Sequence, residues 1–360
     1  MAHEIISVYT KCLIMNFKKI YFAIGIVSFV FAFQSCEKLL MPDDPERSAT
    51  AVFDYLWTKV DEQYSMFDVK GVDWDAVYDS LRPKVYDGMG DDSLFAVCAT
   101  MLRTLNDGHV NLINAHDVAH ADSLYYDFYA EDDIDINAVV LGYLGTSFHT
   151  TGGIQHGGLA DGRVIYMRYS SFSNSISVSQ LKYIIKSYPD AQGMILDLRG
   201  NGGGNLANVD HLLRIMPSHG QVISYSQIKS GPGHDDFTPL VETYAPKTTD
   251  SDAFDLPVYV LVDRGCFSAT SSFAIATMAY DNMTLLGDTT GGGLGLPFSG
   301  LLPNGWRYRF SITRTLAIDK KNYENGVPPD IYLRLDRQAA LTEHKDNIID
   351  KAVSLIISNL

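Results

Sequence analysis

Two segments of the chain carry residue types that could together perform acyl transfer. Ile195–Asn205 is predicted to be a buried strand that runs into a turn of three glycines, and Ser268 follows a second predicted strand and a turn containing Gly265. A glycine-rich turn at the start of a helix exposes backbone N–H groups that can hold an anion. A serine hydroxyl can act as a nucleophile when a base takes its proton. The pair therefore suggests a serine nucleophile beside an oxyanion-binding turn.

Each segment also has a plainer interpretation when it is taken alone. The glycine turn is similar to a dinucleotide fingerprint, in which Gly200 and Gly202 fit, but Asn205 stands where the third glycine is required. No Walker lysine follows it. A serine at the start of a helix, such as Ser268, is most often an N-cap. Nucleotide binding and simple helix capping are thus the alternatives to catalysis.

Taken together, the two segments resemble the signature of the tail-specific (C-terminal processing) peptidases and their tricorn-core relatives. The signature is the run Asp197–Gly204, followed downstream by a strand, a turn and the pair Ser268–Ala269. Gly287 after the next strand and the run Gly326–Asp330 agree with it. The resemblance extends over about residues 49–345 and implies a serine peptidase acting on peptide or protein substrates, without a metal or cofactor.

The resemblance also implies which residues act. The tail-specific branch has a lysine 25 residues after the serine, where this chain has Gly293. The tricorn-like branch uses a histidine far upstream, which matches His109, and a glutamate shortly before the Gly-x-x-Pro-Asp motif, which matches Glu324. A neutral imidazole would take the serine proton, and a carboxylate would orient it directly or through another residue. The implied catalytic set is Ser268, His109 and Glu324.

The oxyanion hole would be formed by backbone N–H groups of the two segments. The candidates are Gly202 or Gly203 from the glycine turn, together with Ala269. The chain departs from the family at Ser271, where the tail-specific branch commonly has glutamate, and at Gly108, where the tricorn relative has serine.

The segment before the Asp-Leu-Arg motif is also too short for a peptide-binding PDZ domain, which many family members insert there. About 50 residues separate Ile113 from Arg163. Substrate capture would then rely on another segment, such as residues 114–160. The rival hypothesis is a catalytically silent peptide-binding lipoprotein with the same fold, against which the intact serine, histidine and glutamate positions argue.

Other candidate sites are weaker. His116 and His120 lie near Asp117 and Asp122, but they lack the glutamate of a zinc-protease helix, so a solvated surface is favoured over a metal site. Cys98 and Cys266 lie in apolar surroundings and are expected to be small core residues. Four aromatic residues could line a substrate groove or pack in the core: Tyr125, Tyr126, Phe128 and Tyr129.

The N-terminal residues have the pattern of a secretory leader. A lysine pair precedes an apolar run from Ile20 to Phe33, which is too short to cross a bilayer, and Cys36 follows a serine. We expect a leader over residues 1–36, with Cys36 lipidated, so that the protein is a cell-envelope lipoprotein held at a membrane by its lipid; an ordinary signal peptide is the alternative. The formal net charge of −15 disfavours nucleic acid as a partner. The sequence carries no signal for an oligomeric state.

The elements that must position these residues alternate in the C-terminal half. Predicted strands and helices follow one another from residue 163 to 287, which indicates a mainly parallel α/β sheet with covering helices, of the crotonase/ClpP-like type that the resemblance implies. Helical periodicity over residues 92–105 and two earlier stretches predicts an N-terminal helical subdomain. The expected organisation is a tether over 37–48, a helical subdomain over 49–113, a connecting segment of short strands over 114–160, an α/β core over 161–345 and a C-terminal helix over 346–360.

Overall fold

The computed structural model describes residues 46–120, 136–146, 148–248 and 253–358. The predicted leader with Cys36, most of the tether, and the aromatic residues Tyr125, Tyr126, Phe128 and Tyr129 lie outside the described residues. Within those ranges, no helix has both the length and the apolar character that a bilayer crossing requires.

Helices make up the first part of the described chain, and strands are interspersed with helices from residue 111 onward. The helices are α1 (Ala49–Gln63), α2 (Phe67–Lys70), α3 (Trp74–Leu81), α4 (Asp91–Arg103), α5 (Ile136–Leu144), α6 (Val178–Lys186), α7 (Leu206–Leu213), α8 (Ala269–Thr277), α9 (Arg337–Glu343) and α10 (Asn347–Ser358). The strands are β1 (Asn111–Ile113), β2 (Val118–His120), β3 (His149–Thr151), β4 (Ile154–Leu159), β5 (Val164–Arg168), β6 (Gly193–Asp197), β7 (Val222–Ile228), β8 (Val241–Tyr244), β9 (Val258–Val262), β10 (Met283–Gly287), β11 (Pro297–Leu301), β12 (Arg307–Ser311), β13 (Thr313–Leu316) and β14 (Ile331–Tyr332).

A seven-stranded sheet in the order β14-β10-β9-β6-β5-β4-β3 forms the centre of the fold. Strands β5, β6, β9, β10 and β14 run parallel, and β3 and β4 add an antiparallel edge. Every residue of β5, β6 and β9 is buried, as expected for parallel strands that are covered on both faces. Helices α6, α7 and α8 cover one face and α10 covers the other. The predicted mainly parallel α/β fold is therefore confirmed.

A second sheet joins the N-terminal helices to strands from late in the chain. Its order is β11-β12-β1-β2, all antiparallel. Helices α1, α3 and α4 pack on it in one hydrophobic cluster, in which Trp306 of the β12 end meets Phe95 of α4 edge-on at 5.3 Å. Because β1 is held by β12, the loop that precedes β1 has a fixed position relative to the core. That loop carries His109.

The segment 114–160 differs in part from its predicted short strands. Strands β2, β3 and β4 are present, but Ile136–Leu144 forms the helix α5. A short apolar run does not distinguish a buried helix from a buried strand by periodicity alone, which is why strands were expected there. Strands β7, β8 and β13 form a further antiparallel sheet beside the core.

Candidate active site

Ser268 lies in a sharp turn between β9 and α8. Its backbone has φ +58° and ψ −116°, a conformation that non-glycine residues rarely adopt and that is often found at functional sites. Its N–H donates to the Gly292 carbonyl at 2.9 Å, which holds the turn in place. Ser268 directly precedes α8, but its side chain makes no capping hydrogen bond to that helix. Its hydroxyl instead lies 3.1 Å from Nε2 of His109.

His109 is buried, with 3% of its surface exposed, and its ring packs against Phe267 with the centroids 4.9 Å apart. Its pKa is lowered to about 4, mainly by burial, while the Asp107 carboxylate opposes the shift and Arg309 adds to it. Among the described residues, the ring Nδ1 has no hydrogen-bond partner. His109 is therefore a neutral imidazole at neutral pH, as a proton acceptor must be.

Asp107 is the carboxylate that holds His109, and it was not among the site residues predicted from the sequence. One of its oxygens accepts the His109 backbone N–H at 2.7 Å, and the other accepts the Tyr64 hydroxyl at 2.9 Å. It is 1% exposed, and its charge favours the protonated imidazole. Asp107 stands two residues before the histidine in the Asn-Asp-Gly-His run, and this position could have identified it as a site residue from the sequence.

Glu324 lies in the same buried region but makes no direct hydrogen bond to His109 in the described structure. Its Oε2 accepts the backbone N–H groups of Leu294 at 2.6 Å and Gly295 at 3.1 Å. Burial, and after it the charge of Asp107, raises the pKa of Glu324 to about 8. Glu324 therefore fixes the loop that runs past the Ser268 turn, and its surroundings favour the neutral carboxyl group.

The glycine turn lies against Ser268. A β-carbon on Gly203 would be 2.9 Å from Cβ of Ser268 and 3.0 Å from the Ala269 nitrogen, so only glycine allows this approach. The Gly203 N–H donates to Oδ1 of Asn201 at 3.0 Å and is already used. Within the described part of the chain, the N–H groups of Gly202 and Ala269 donate to no protein acceptor. These two N–H groups are therefore available to an acceptor atom that binds beside Ser268.

Asn201 holds this arrangement together and was also missed from the sequence. Its side-chain amide donates to the Tyr169 carbonyl at 2.8 Å. Its backbone carbonyl accepts the N–H of Phe267 at 3.1 Å and the hydroxyl of Thr270 at 2.8 Å. The residue therefore links the glycine turn to the nucleophile turn. An asparagine inside a glycine run was a weak signal, because asparagine is common in turns.

The charged residues of the Asp-Leu-Arg motif have a structural role. Arg199 pairs with Asp197 at 2.6 Å and with Asp346 at 2.7 Å, and all three side chains are almost fully buried. Asp346 accepts the first N–H groups of α10. The motif thus ties β6 to the C-terminal helix.

The tail-specific lysine has no counterpart, for a steric reason. Gly293, at the corresponding position, has φ +75°, and a β-carbon there would lie 2.4 Å from the Phe267 ring. The ring that packs on His109 fills the space that a lysine side chain would need. A Ser–Lys pair is therefore incompatible with this backbone.

Two clefts meet at Ser268. A polar cleft of about 520 Å³ contains His109, Gly202 and Arg309, together with Gly108, Asn111, His120, Ser171, Ser173, Gly203, Gly204 and Phe267. An apolar cleft of about 460 Å³ lies on the α8 side, where Ile223, Ile275 and Leu294 are among its walls. A peptide lying through both would cross the serine hydroxyl.

Among the other candidate residues, Cys266 lies in the turn that precedes Ser268, and His120 lines the polar cleft. Cys98 and Cys266 are free and buried, which confirms their expected place in the core. Among the described residues, no group of three or more acidic, histidine or cysteine side chains could hold a metal ion. His116 is exposed in the turn before β2. Asp122 lies outside the described residues.

Comparison with known proteins gives a consistent result. A family model described as Peptidase family S41 matches residues 163–333, and one described as the Tricorn protease C1 domain matches residues 45–103. A solved structure of a candidate peptidase from Parabacteroides merdae ATCC 43184 is 35% identical, with a TM-score of 0.81, and the match covers 86% of this chain and 97% of that one.

More distant relatives agree over shorter or less similar stretches. The carboxy-terminal processing protease CtpB of Bacillus subtilis (strain 168) is 27% identical over an alignment of 180 residues, and the match covers 45% of this chain and 35% of that protein. The chain therefore matches about a third of that relative's length. Mature CPAF shares the fold at 12% identity, with a TM-score of 0.65 over 87% of this chain and 98% of its own. With the 35% identical relative matched over nearly its whole length, the chain belongs to peptidase family S41.

Proposed function

We propose that this chain is a serine peptidase that hydrolyses peptide bonds through an acyl-enzyme on Ser268. The observation that carries the proposal is the 3.1 Å contact between the Ser268 hydroxyl and Nε2 of the buried, neutral His109. This is the geometry that a serine nucleophile and its general base require. The reaction needs no metal or cofactor.

Acylation uses His109 first as a base and then as an acid. As the Ser268 oxygen bonds to the peptide carbonyl carbon, Nε2 of His109 takes the hydroxyl proton. The N–H groups of Gly202 and Ala269 hold the oxyanion, and one such donor contributes roughly 10²–10³ in rate. Asp107 stabilises the imidazolium. The C–N bond then breaks, and His109 gives its proton to the leaving amine.

Deacylation repeats these roles with water. His109 takes a proton from water as the water oxygen attacks the ester carbon, and the bond to Ser268 breaks as its oxygen recovers the proton. Glu324 acts at a distance: it positions the Leu294–Gly295 backbone and adds a second carboxyl group near Asp107. In this scheme the catalytic set is Ser268 and His109, with Asp107 and Glu324 as positioning residues.

Labelling with a fluorophosphonate probe tests the proposal. The folded wild type should label, and Ser268→Ala and His109→Ala should not. Ser173→Ala is the matched control, because Ser173 lines the same cleft and, among the described residues, makes no hydrogen bond to His109; its labelling should equal that of the wild type. A folded wild type that does not label, alone or with peptides present, would favour the catalytically silent peptide-binding protein.

We also propose that the substrates are peptides or proteins of the cell envelope, cut internally or near a C-terminus. Family membership supports the substrate class, and the name of the Bacillus relative supports the C-terminal version. The leader pattern supports export and lipid attachment at Cys36. Incorporation of an alkynyl fatty acid that is lost in Cys36→Ser, with the protein found in the membrane fraction only when Cys36 is present, would be the expected result. Equal incorporation in both would exclude this attachment site.

A further inference from the structure

A row of polar side chains crosses the four-stranded sheet beside Ser268. Asn111 on β1 lies directly opposite Arg309 on β12, and His120 on β2 lies opposite Asn111. Residues that are directly opposite in an antiparallel pair project from the same face of the sheet. All three line the polar cleft that contains Ser268, and Arg309 also lines the apolar cleft.

Two members of this row carry donors that the described protein leaves unused. The Arg309 guanidinium is half-buried and makes no hydrogen bond or ion pair within the described ranges. Asn111 is 7% exposed, and its buried Nδ2 has no partner there either. Buried donors are nearly always hydrogen-bonded, so neighbouring unpaired donors in a cleft indicate a ligand with acceptor oxygens.

The position of the row relative to His109 indicates which part of a substrate it would meet. His109 must protonate the leaving amine, and it lines the polar cleft but not the apolar one. The polar cleft is therefore the side of the leaving peptide. This step rests on the proposed peptidase function.

We propose that Arg309 and Asn111 form a subsite for a carboxylate of the substrate on the leaving-group side. A guanidinium matches the two oxygens of a carboxylate with parallel hydrogen bonds, and the Asn111 amide supplies a further donor. The carboxylate is either the free C-terminus of the substrate or an acidic side chain near the scissile bond. Arg309 lines both clefts, and Asn111, which lines only the polar cleft, places the subsite on the leaving-group side.

Binding to the Ser268→Ala variant of the full chain tests the subsite without catalysis. The probes are a fluorescein-labelled alanine-rich hexapeptide as the free acid and as the C-terminal amide, with Kd measured by anisotropy. Two further amidated versions carry glutamate or glutamine near the C-terminus. The expected result is that one carboxylate-bearing probe binds about tenfold or more tightly than its neutral partner, since a hydrogen bond to a charged group has about this effect.

A second substitution, added to Ser268→Ala, identifies the residue that binds the carboxylate. Arg309→Gln in the same background should remove the preference, and Asn111→Ala should reduce it. Arg307→Gln is the matched control, because Arg307 lies on the same strand, is exposed and lines neither cleft; the preference should persist. Equal binding of all four probes, or an unchanged preference in Arg309→Gln, would overturn the proposal.

The same probes show where the carboxylate comes from. A preference for the free acid over the amide assigns the subsite to the C-terminus, and a preference for glutamate over glutamine assigns it to a side chain. Fluorophosphonate labelling of the protein with Ser268 intact reports separately on the peptidase function. A labelled enzyme without a preference refutes the subsite alone, and an unlabelled protein with a preference refutes the hydrolysis alone.

Discussion

Asp107 holds the backbone of His109 rather than its ring. The carboxylate accepts the His109 N–H at 2.7 Å, and the ring nitrogen Nδ1 has no partner among the described residues. The charge nevertheless acts on the imidazole, because it raises the pKa of His109 against the effect of burial. Asp107 therefore both fixes the position of the His109 backbone and stabilises the protonated imidazole.

Asp107→Asn should separate these two functions. The amide oxygen can still accept the His109 N–H, so the fold should be kept, while the charge that stabilises the imidazolium is lost. We expect kcat/KM and the labelling rate to fall by about 10²-fold or more. Tyr64→Phe removes only the hydrogen bond to the second oxygen and should cost about tenfold or less. Equal losses in the two variants would argue against an electrostatic role.

The labelling rate should depend on pH through His109. Only the neutral imidazole accepts a proton, so the rate should rise with pH through about 4 rather than through 6.5, because burial lowers this pKa. Arg309 also lowers it, so Arg309→Gln should move the acidic limb to higher pH, while Arg307→Gln should not. The measurement is the rate constant of labelling across the pH range. A wild-type limb near 6.5 would contradict the effect of burial.

Glu324 should make the protein less stable as the pH rises. The folded chain keeps the Glu324 proton up to about pH 8, whereas the unfolded chain releases it near 4.5, so stability is lost between these values. Glu324→Gln cannot titrate, and its amide oxygen can still accept from Leu294 and Gly295. The difference between the Tm of the variant and the Tm of the wild type should therefore rise in favour of the variant from about pH 5 to about pH 8. A pH-independent Tm difference would indicate that Glu324 is charged in the folded state.

Gly293→Ala should damage both stability and labelling. The new methyl group would meet the Phe267 ring, which packs on His109, and the residue would keep a positive φ. Gly305 also has a positive φ, but a methyl group added there would contact no other atom. Gly305→Ala therefore measures the cost of the backbone conformation alone, about 1–2 kcal/mol. We expect Gly293→Ala to lose about 1–3 kcal/mol more in urea unfolding and to label poorly. Similar losses at both positions would mean that the ring moves aside.

Asn201→Ala should lower activity through the oxyanion hole. The side chain orients Gly203 and anchors to the Tyr169 carbonyl, so its loss should displace the neighbouring Gly202 N–H and lower kcat by about 10²-fold. Asn205→Ala removes only the N-cap of α7, worth about 1 kcal/mol, and should leave kcat unchanged. The comparison uses steady-state kinetics on one peptide. An unchanged kcat in Asn201→Ala would place the oxyanion donors elsewhere.

The sequence predicted the parts of this molecule that depend on local pattern. The parallel strands appear as continuous apolar runs, and the Ser268 and glycine segments each lie at a strand end, so both could be recognised from their own residues. The parts that depend on distant pairing could not. Asn111 and Arg309 meet only because β1 pairs with β12, and no local pattern indicates which strands pair. Whether Glu324 orients the His109 ring directly or through another residue likewise depends on side-chain directions, which sequence spacing does not contain.

The pairing of β1 with β12 has a consequence for how the protein is made. A ribosome delivers His109 early and Ser268 later, but the strand that holds the histidine loop is complete only at Ser311, and the loop support from Glu324 comes later still. A nascent chain that already contains both Ser268 and His109 therefore lacks the framework that brings them into contact. The contact between Ser268 and His109 therefore forms only after residues 307–324 have been synthesised.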